Sequence, residues 1–276
     1  MKSKHIMTFD IEEWYCASLI RDKIHSDKEV ESTVEKNTLE ILKLLHKHNS
    51  SATFFVLGSV ARKCPDLIKE IERNGHEIGL HSNSHDLIYN MSQGEFIRDL
   101  EEGLYSLNRL VKQDINGYRA PSWSVSKSKT EWFWDVLHKY GFKYSSSVFP
   151  FGTFLYGNPK ASIKRNRIYC GNGYIWEIPP SIIEIMKIRV PFSGGFYFRF
   201  LPAILINYGI KLYHQITEEP AVLYLHPYEI DNSTPRVKLS PRDYFIQYYN
   251  LNKTKKKLDV ILNKYDFVSI NQFYDF

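Results

Sequence analysis

The sequence predicts an α/β fold in one domain, residues 1–276, built from parallel strands with helices packed outside them. Three observations carry this. Short apolar runs alternate with amphipathic helical patterns along most of the chain. No low-complexity tract, internal repeat or Pro/Gly/Ser-rich linker divides the 276 residues. The composition, 43% hydrophobic and 24% charged, is that of an ordinary globular protein. Alternation of this kind suits a barrel or an open doubly wound sheet, and the length of the single domain favours the barrel.

The elements follow in order. HIMTFDI, 5–11, is a first strand. STVEKNTLEILKLLHKHN opens with Ser32-x-x-Glu35, the spacing of a capping box, and sets Val34, Thr38, Ile41, Leu42 and Leu45 on one helical face. ATFFVLG, 52–58, is a buried strand, and Pro65 and Gly75 bracket the next helix. HEIGLHS is a third strand; Ser92-x-x-Glu95 then opens a helix with Phe96, Leu100, Leu104, Leu107 and Val111 on one face. NGYRAPSW is a fourth strand stopped by Pro121, TEWFWDVLHKY a helix ending before Gly141, and FKYSSSVF a fifth strand. Residues 150–195 break the pattern: rich in Gly, Pro and aromatics, they read as an inserted region of loops and short hairpins such as RIYCGNGYIWEIP. The alternation resumes with a helix near 201–214, the strand AVLYLHP, a helix opened by Ser240-Pro241 and a last strand FVSI.

Several classes are excluded. A formal charge of +5, from 36 Lys+Arg and 31 Asp+Glu, is too mild for a nucleic-acid partner. The densest basic run, KTKKK at 253–257, reads as a solvated helix face. Cys16, Cys64 and Cys170 are widely spaced and form no CxxC, so neither a disulfide framework nor a cysteine zinc site is expected. MKSKHIMTFD lacks an apolar stretch ahead of its charged residues, so no secretory leader is expected. No segment reaches the ~18 uninterrupted apolar residues of a membrane span. The nearest, 196–213, is broken by Arg199 and Pro202. A cytoplasmic protein is expected.

In folds of this kind chemistry gathers at the carboxyl ends of the strands. The first strand ends in Asp10 and Glu12, the third in His81 with His85 following, the fourth in Arg119 and the late strand in His226. His81-x-x-x-His85 can share a helical turn or meet across a tight loop, and imidazoles suit divalent transition metals. Two histidines with one carboxylate and an open position make a catalytic zinc arrangement. Strand alternation points Asp10 and Glu12 to one side and Glu13 to the other. Two inward carboxylates permit one to hold a metal and the other to take a proton from water. Arg119 is placed to form a bidentate pair with that base, and His226 to act as an acid.

TFDIEE, NGHEIGLHSNSH, RAPSWS, LYLHPYE and FVSINQF, in this order, resemble the motifs of the polysaccharide deacetylase superfamily, the NodB-like family 4 carbohydrate esterases. The resemblance covers roughly 4–125 and 220–272, and the region between matches only loosely. It implies an irregular (β/α) barrel and a metal-dependent hydrolase that removes an N-acetyl group from an amino sugar. Asp10 then resembles the general base, His81 and His85 the metal ligands, Arg119 the residue steering the base, and His226 the acid. Pro121 and Trp123 resemble the motif lining the substrate groove. The commonest first motif has adjacent aspartates, but here Ile11 holds the second place. The branch with an acid two positions after the base fits better, making Glu12 the third ligand of a divalent ion, expected to be Zn²⁺. The carboxylate that tunes the acidic histidine is left open between Glu177, Glu229 and Asp231.

Trp14, Tyr15, Trp123 and Tyr228 lie beside motif residues and are candidate walls for a pyranose. Without a leader, the expected substrate is a lipid- or nucleotide-linked glycan precursor on the inner face of the membrane rather than mature polymer. The 196–213 segment is then a candidate for peripheral membrane contact. The rival readings are a ureide-type cyclic-amide hydrolase of the same superfamily and a silent carbohydrate-binding module.

Overall fold

The computed structural model describes residues 2–24, 30–126 and 128–276. Its strands are β1 (Lys4–Ile11), β2 (Thr53–Val56), β3 (Glu77–Leu80), β4 (Gly117–Tyr118), β5 (Tyr144–Ser145), β6 (Asn166–Cys170), β7 (Gly173–Glu177), β8 (Ile182–Ile185), β9 (Ile188–Pro191), β10 (Val222–Leu225) and β11 (Asp266–Val268). The helices are α1 (Val34–Lys47), α2 (Gly58–Lys63), α3 (Pro65–Arg73), α4 (Gln93–Asn108), α5 (Phe133–Lys139), α6 (Gly195–Phe200), α7 (Ala203–Thr217), α8 (Pro241–Tyr248), α9 (Leu251–Lys264) and α10 (Ile270–Tyr274). No described helix is long and apolar enough to cross a membrane.

The main sheet runs β10-β1-β2-β3-β4-β5-β7-β6, with β11 on the first half of β1. Pairing is parallel from β10 to β7 and antiparallel only in the β6–β7 hairpin. Every residue of β2, β3 and β10 is buried, as parallel strands covered on both faces require. The seam between β5 and β10 is closed by irregular chain. Ile178 N–H donates to the Ser145 carbonyl at 2.8 Å, Ser181 N–H to Val222 O at 3.0 Å and Tyr224 N–H to Ser193 O at 3.0 Å. The result is the expected irregular α/β barrel. The supposed insertion is part of it, since its hairpin adds β7 to β5 and its continuation closes the seam.

The α1 face read from the sequence is buried as expected, and Gly75 and Gly141 stop their helices at φ +76 and +85. Ser92 and Glu95 form the expected reciprocal cap. The capping box at Ser32 does not form: α1 starts at Val34, and the Ser32 hydroxyl donates to Glu13 instead. The fourth strand is only Gly117–Tyr118, because Pro121 opens a tight turn with Ser122 and Trp123 at positive φ. The closing strand stops at Val268, where Ser269 caps α10.

Candidate active site

Asp10 and Glu12, at the end of β1 and just beyond it, are each 3% exposed. Arg119, following β4, is fully buried and lies over the rings of Phe55 and Trp123 at 4.2 and 4.9 Å. Its Nη1 donates to Asp10 Oδ1 at 2.7 Å and to Thr8 Oγ1 at 2.9 Å; Nη2 donates to Ser146 Oγ at 2.9 Å and Nε to Ser146 O at 3.2 Å. The pair with Asp10 is therefore single rather than bidentate, because Ser146, just after β5, takes the other half of the guanidinium fork. One oxygen of Asp10 is left facing the cavity side, 3.8 Å from His226 Nε2.

Glu12 turns toward the loop after β3. Its Oε2 lies 2.7 Å from His85 Nε2 and 3.3 Å from His81 Nε2, and one ligand atom from each of the three residues falls within 4.8 Å of the others. The two histidines meet across a loop, not a helix, with positive φ at Ser82 and His85. Asp99 of α4 braces that loop by accepting the Asn83 and Ser84 N–H groups at 3.0 and 3.2 Å. His81 Nδ1 donates to the Arg119 carbonyl at 2.8 Å, which leaves its Nε2 lone pair facing Glu12. Burial opposes charge on Glu12, but His85, His81 and His226 around it hold the carboxyl well below its usual range. Glu13 points the other way: the Ser32 hydroxyl and the Thr33 N–H, at 3.2 Å, donate to it, so it fastens the start of α1.

His226 follows β10. Its Nδ1 and its own N–H both meet Glu229 Oε2, at 2.9 and 3.0 Å. Arg199 Nε donates to Glu229 Oε1 at 2.7 Å, while Nη1 and Nη2 take the carbonyls of Tyr249 and Ile246 at 2.9 and 2.8 Å. Burial alone would lower the imidazole pKa, but the bond to Glu229 and the charges of Glu12, Glu229 and Asp10 raise it to about 9. Of the three carboxylates left open, only Glu229 touches His226. Glu177 instead accepts the Ser147 and Val148 N–H groups at 2.7 and 2.9 Å, and Asp231 holds Ser233. The spacing His226-x-x-Glu229, that of a capping box, is the sequence signal that could have identified it.

These groups open onto a cavity of about 100 Å³. Trp123 and Tyr228 line it, as expected, and so do Leu155, Tyr156, Phe196 and Gln247, which periodicity did not reveal. Trp14, Tyr15 and Pro121 are not brought to its wall. Trp14 is buried, its Nε1 donating to Glu31 O at 3.0 Å, because the chain turns into a short 3₁₀ helix at 14–16 and carries the ring into the core. Tyr15 packs beside that same cluster and Pro121 is buried in its turn.

The profile described as polysaccharide deacetylase matches residues 7–145, and one described as a domain of unknown function (DUF3473) matches 146–275. The chain is 36% identical over 90 residues to a peptidoglycan-N-acetylglucosamine deacetylase of Bacillus cereus, covering 33% of each protein. It is 32% identical over 108 residues to a peptidoglycan deacetylase of Helicobacter pylori, covering 39% of this chain and 36% of that protein. It thus spans about a third of the length of the curated relatives it matches. The fold resembles that of a Mycobacterium smegmatis protein assigned to the polysaccharide deacetylases, with a TM-score of 0.62 at 19% identity, over 99% of this chain and 89% of that one.

Proposed function

The chain belongs to the polysaccharide deacetylase family, and from that premise we propose that it removes the N-acetyl group of an amino sugar, releasing acetate, with the help of one divalent metal ion. The substrate is a glycan or its lipid- or nucleotide-linked precursor. The observation that carries this reading is the convergence on one cavity of Glu12, His81 and His85 with Asp10 and His226.

The donor set fits a metal. Two imidazoles and a carboxylate are the ligands of many catalytic zinc sites, and the Arg119 carbonyl fixes His81 in the tautomer that leaves Nε2 free. Glu12, His81 and His85 would hold the ion, Zn²⁺ by this donor chemistry. When bound, such an ion supplies Lewis acidity to an amide carbonyl and lowers the pKa of water. Asp10, oriented by Arg119, takes the proton of the attacking water. His226, held by Glu229, gives a proton to the departing amine as the C–N bond breaks. Water and amide are converted to acetate and a free amino sugar. Residues 1–276 act as one unit in this reading, supported by a cavity wall drawn from both matched segments.

The test is acetate release from β-1,4-linked N-acetylglucosamine oligomers and from nucleotide-linked N-acetyl sugars, with chelator and with Zn²⁺ restored. Release that chelation abolishes and Zn²⁺ restores is expected. Activity indifferent to chelation removes the metal from the reading, and an Asp10→Asn protein with full metal content and full activity removes Asp10 as the base.

A further inference from the structure

We propose that the β8–β9 hairpin and the outer face of α7 form a docking surface for an anionic lipid bilayer. In the hairpin, Ile183 pairs with Val190 and Ile185 with Ile188, so one face is aliphatic throughout. Ile183 joins the main core, but Ile188 is 68% exposed and Met186, at the tip, 90%. The base of the hairpin sits on α7, where Gly209 leaves room for the ring of Phe192. From that helix Ile204, 74% exposed, and Tyr208 face outward. An apolar surface of this extent on two adjacent elements needs an occupant.

The tip turn points to a use. Met186 and Lys187 both have positive φ, +50 and +69, the conformation that a two-residue hairpin gives most cheaply to Asn-Gly. The chain instead places a thioether and an ammonium group at the most projecting point. Charge selects the occupant. On these two elements the exposed cations are Lys187 and Lys211, while Glu184 is paired with Arg189 at 2.5 Å, so the outward charge is positive. A second copy docking the same face would bring Lys187 and Lys211 of both copies together, whereas anionic headgroups complement them while the aliphatic side chains enter the acyl boundary.

This inference does not depend on the deacetylation reading. The experiment is flotation of the full chain with vesicles of equimolar phosphatidylcholine and phosphatidylglycerol, and with phosphatidylcholine alone. The protein is expected to float with the anionic vesicles. Met186→Asp with Ile188→Asp, and separately Ile204→Asp with Tyr208→Asp, are expected to reduce partitioning about tenfold or more. Lys187→Glu with Lys211→Glu is expected to reduce it about fivefold per charge, on anionic vesicles only. Soluble oligomers, assayed in parallel, are expected to be processed alike by all variants, and absence of that activity from the unsubstituted chain would count against the deacetylase reading alone. Absence of flotation, flotation indifferent to these substitutions, or a dimer that Met186→Asp disperses would each overturn the proposal.

Discussion

Residues 7–145 and 146–275 build one cavity by different means. The first segment holds its groups by neighbouring strands in register: Asp10 on β1 meets Arg119 after β4, and that residue's carbonyl fixes His81 after β3. The second holds His226, the proposed acid, through a relay of buried charges from Glu229 to Arg199 and on to carbonyls at the end of α8. A site built on adjacent strand ends follows from the sheet itself, whereas one built on a relay exists only when several separate segments have docked. The second segment also carries the exposed apolar hairpin.

The contrast can be broken at several points. The contrast can be pressed hardest at the proposed ligand carboxylate: Glu12→Gln should cut acetate release about 10³-fold or more and lower metal content, whereas Glu13→Gln should leave turnover within about threefold while lowering stability by about 1–2 kcal/mol. Turnover and metal content measured on both variants decide which glutamate serves the metal. Next, Arg199→Met should reduce kcat on amides about 10–100-fold and stability by about 3 kcal/mol, since it strands a buried carboxylate. Aryl acetates with good leaving groups should be spared, because they need no acid. Equal losses on both substrates would make Arg199 merely structural.

A smaller effect concerns pH. His226 has its pKa raised from 6.5 to about 9, so in the metal-free protein its contribution to stability is complete below about pH 6.5 and is lost as pH rises through 9. Thermal unfolding of the metal-free chain should weaken across that window by on the order of 2 kcal/mol, and the His226→Gln variant should lack this slope. The smallest effect belongs to the first segment's periphery: Ser92→Ala removes a formed capping box and should cost about 1 kcal/mol with unchanged turnover.

Legibility followed how local each feature is. Strand ends, the Glu12/Glu13 alternation and the histidine pair were readable because period-two geometry is local, and each strand-end residue lies beside its neighbour in the sheet. Ser32 was misread because Glu13, nineteen residues earlier, claims its hydroxyl. Trp14 was expected at the cavity because it lies beside motif residues, but a short 3₁₀ turn at 14–16 takes its ring into a buried cluster. Residues 178–194 escaped because they close the barrel through scattered backbone bonds and have no periodicity of their own. Gln247 and Phe196 reach the cavity only by tertiary docking of α8 and α6.

The guanidinium of Arg199 satisfies the carbonyls of Ile246 and Tyr249 at the end of α8 and, with its remaining nitrogen, holds Glu229. The same cation therefore finishes a helix and anchors the proposed acid. Asp10, Glu12, His81, His85 and Arg119 all precede residue 120, whereas the carbonyls that steady Arg199 lie beyond residue 240. Fraying at the end of α8 would thus reach His226 through two ion pairs and leave the five earlier residues in place.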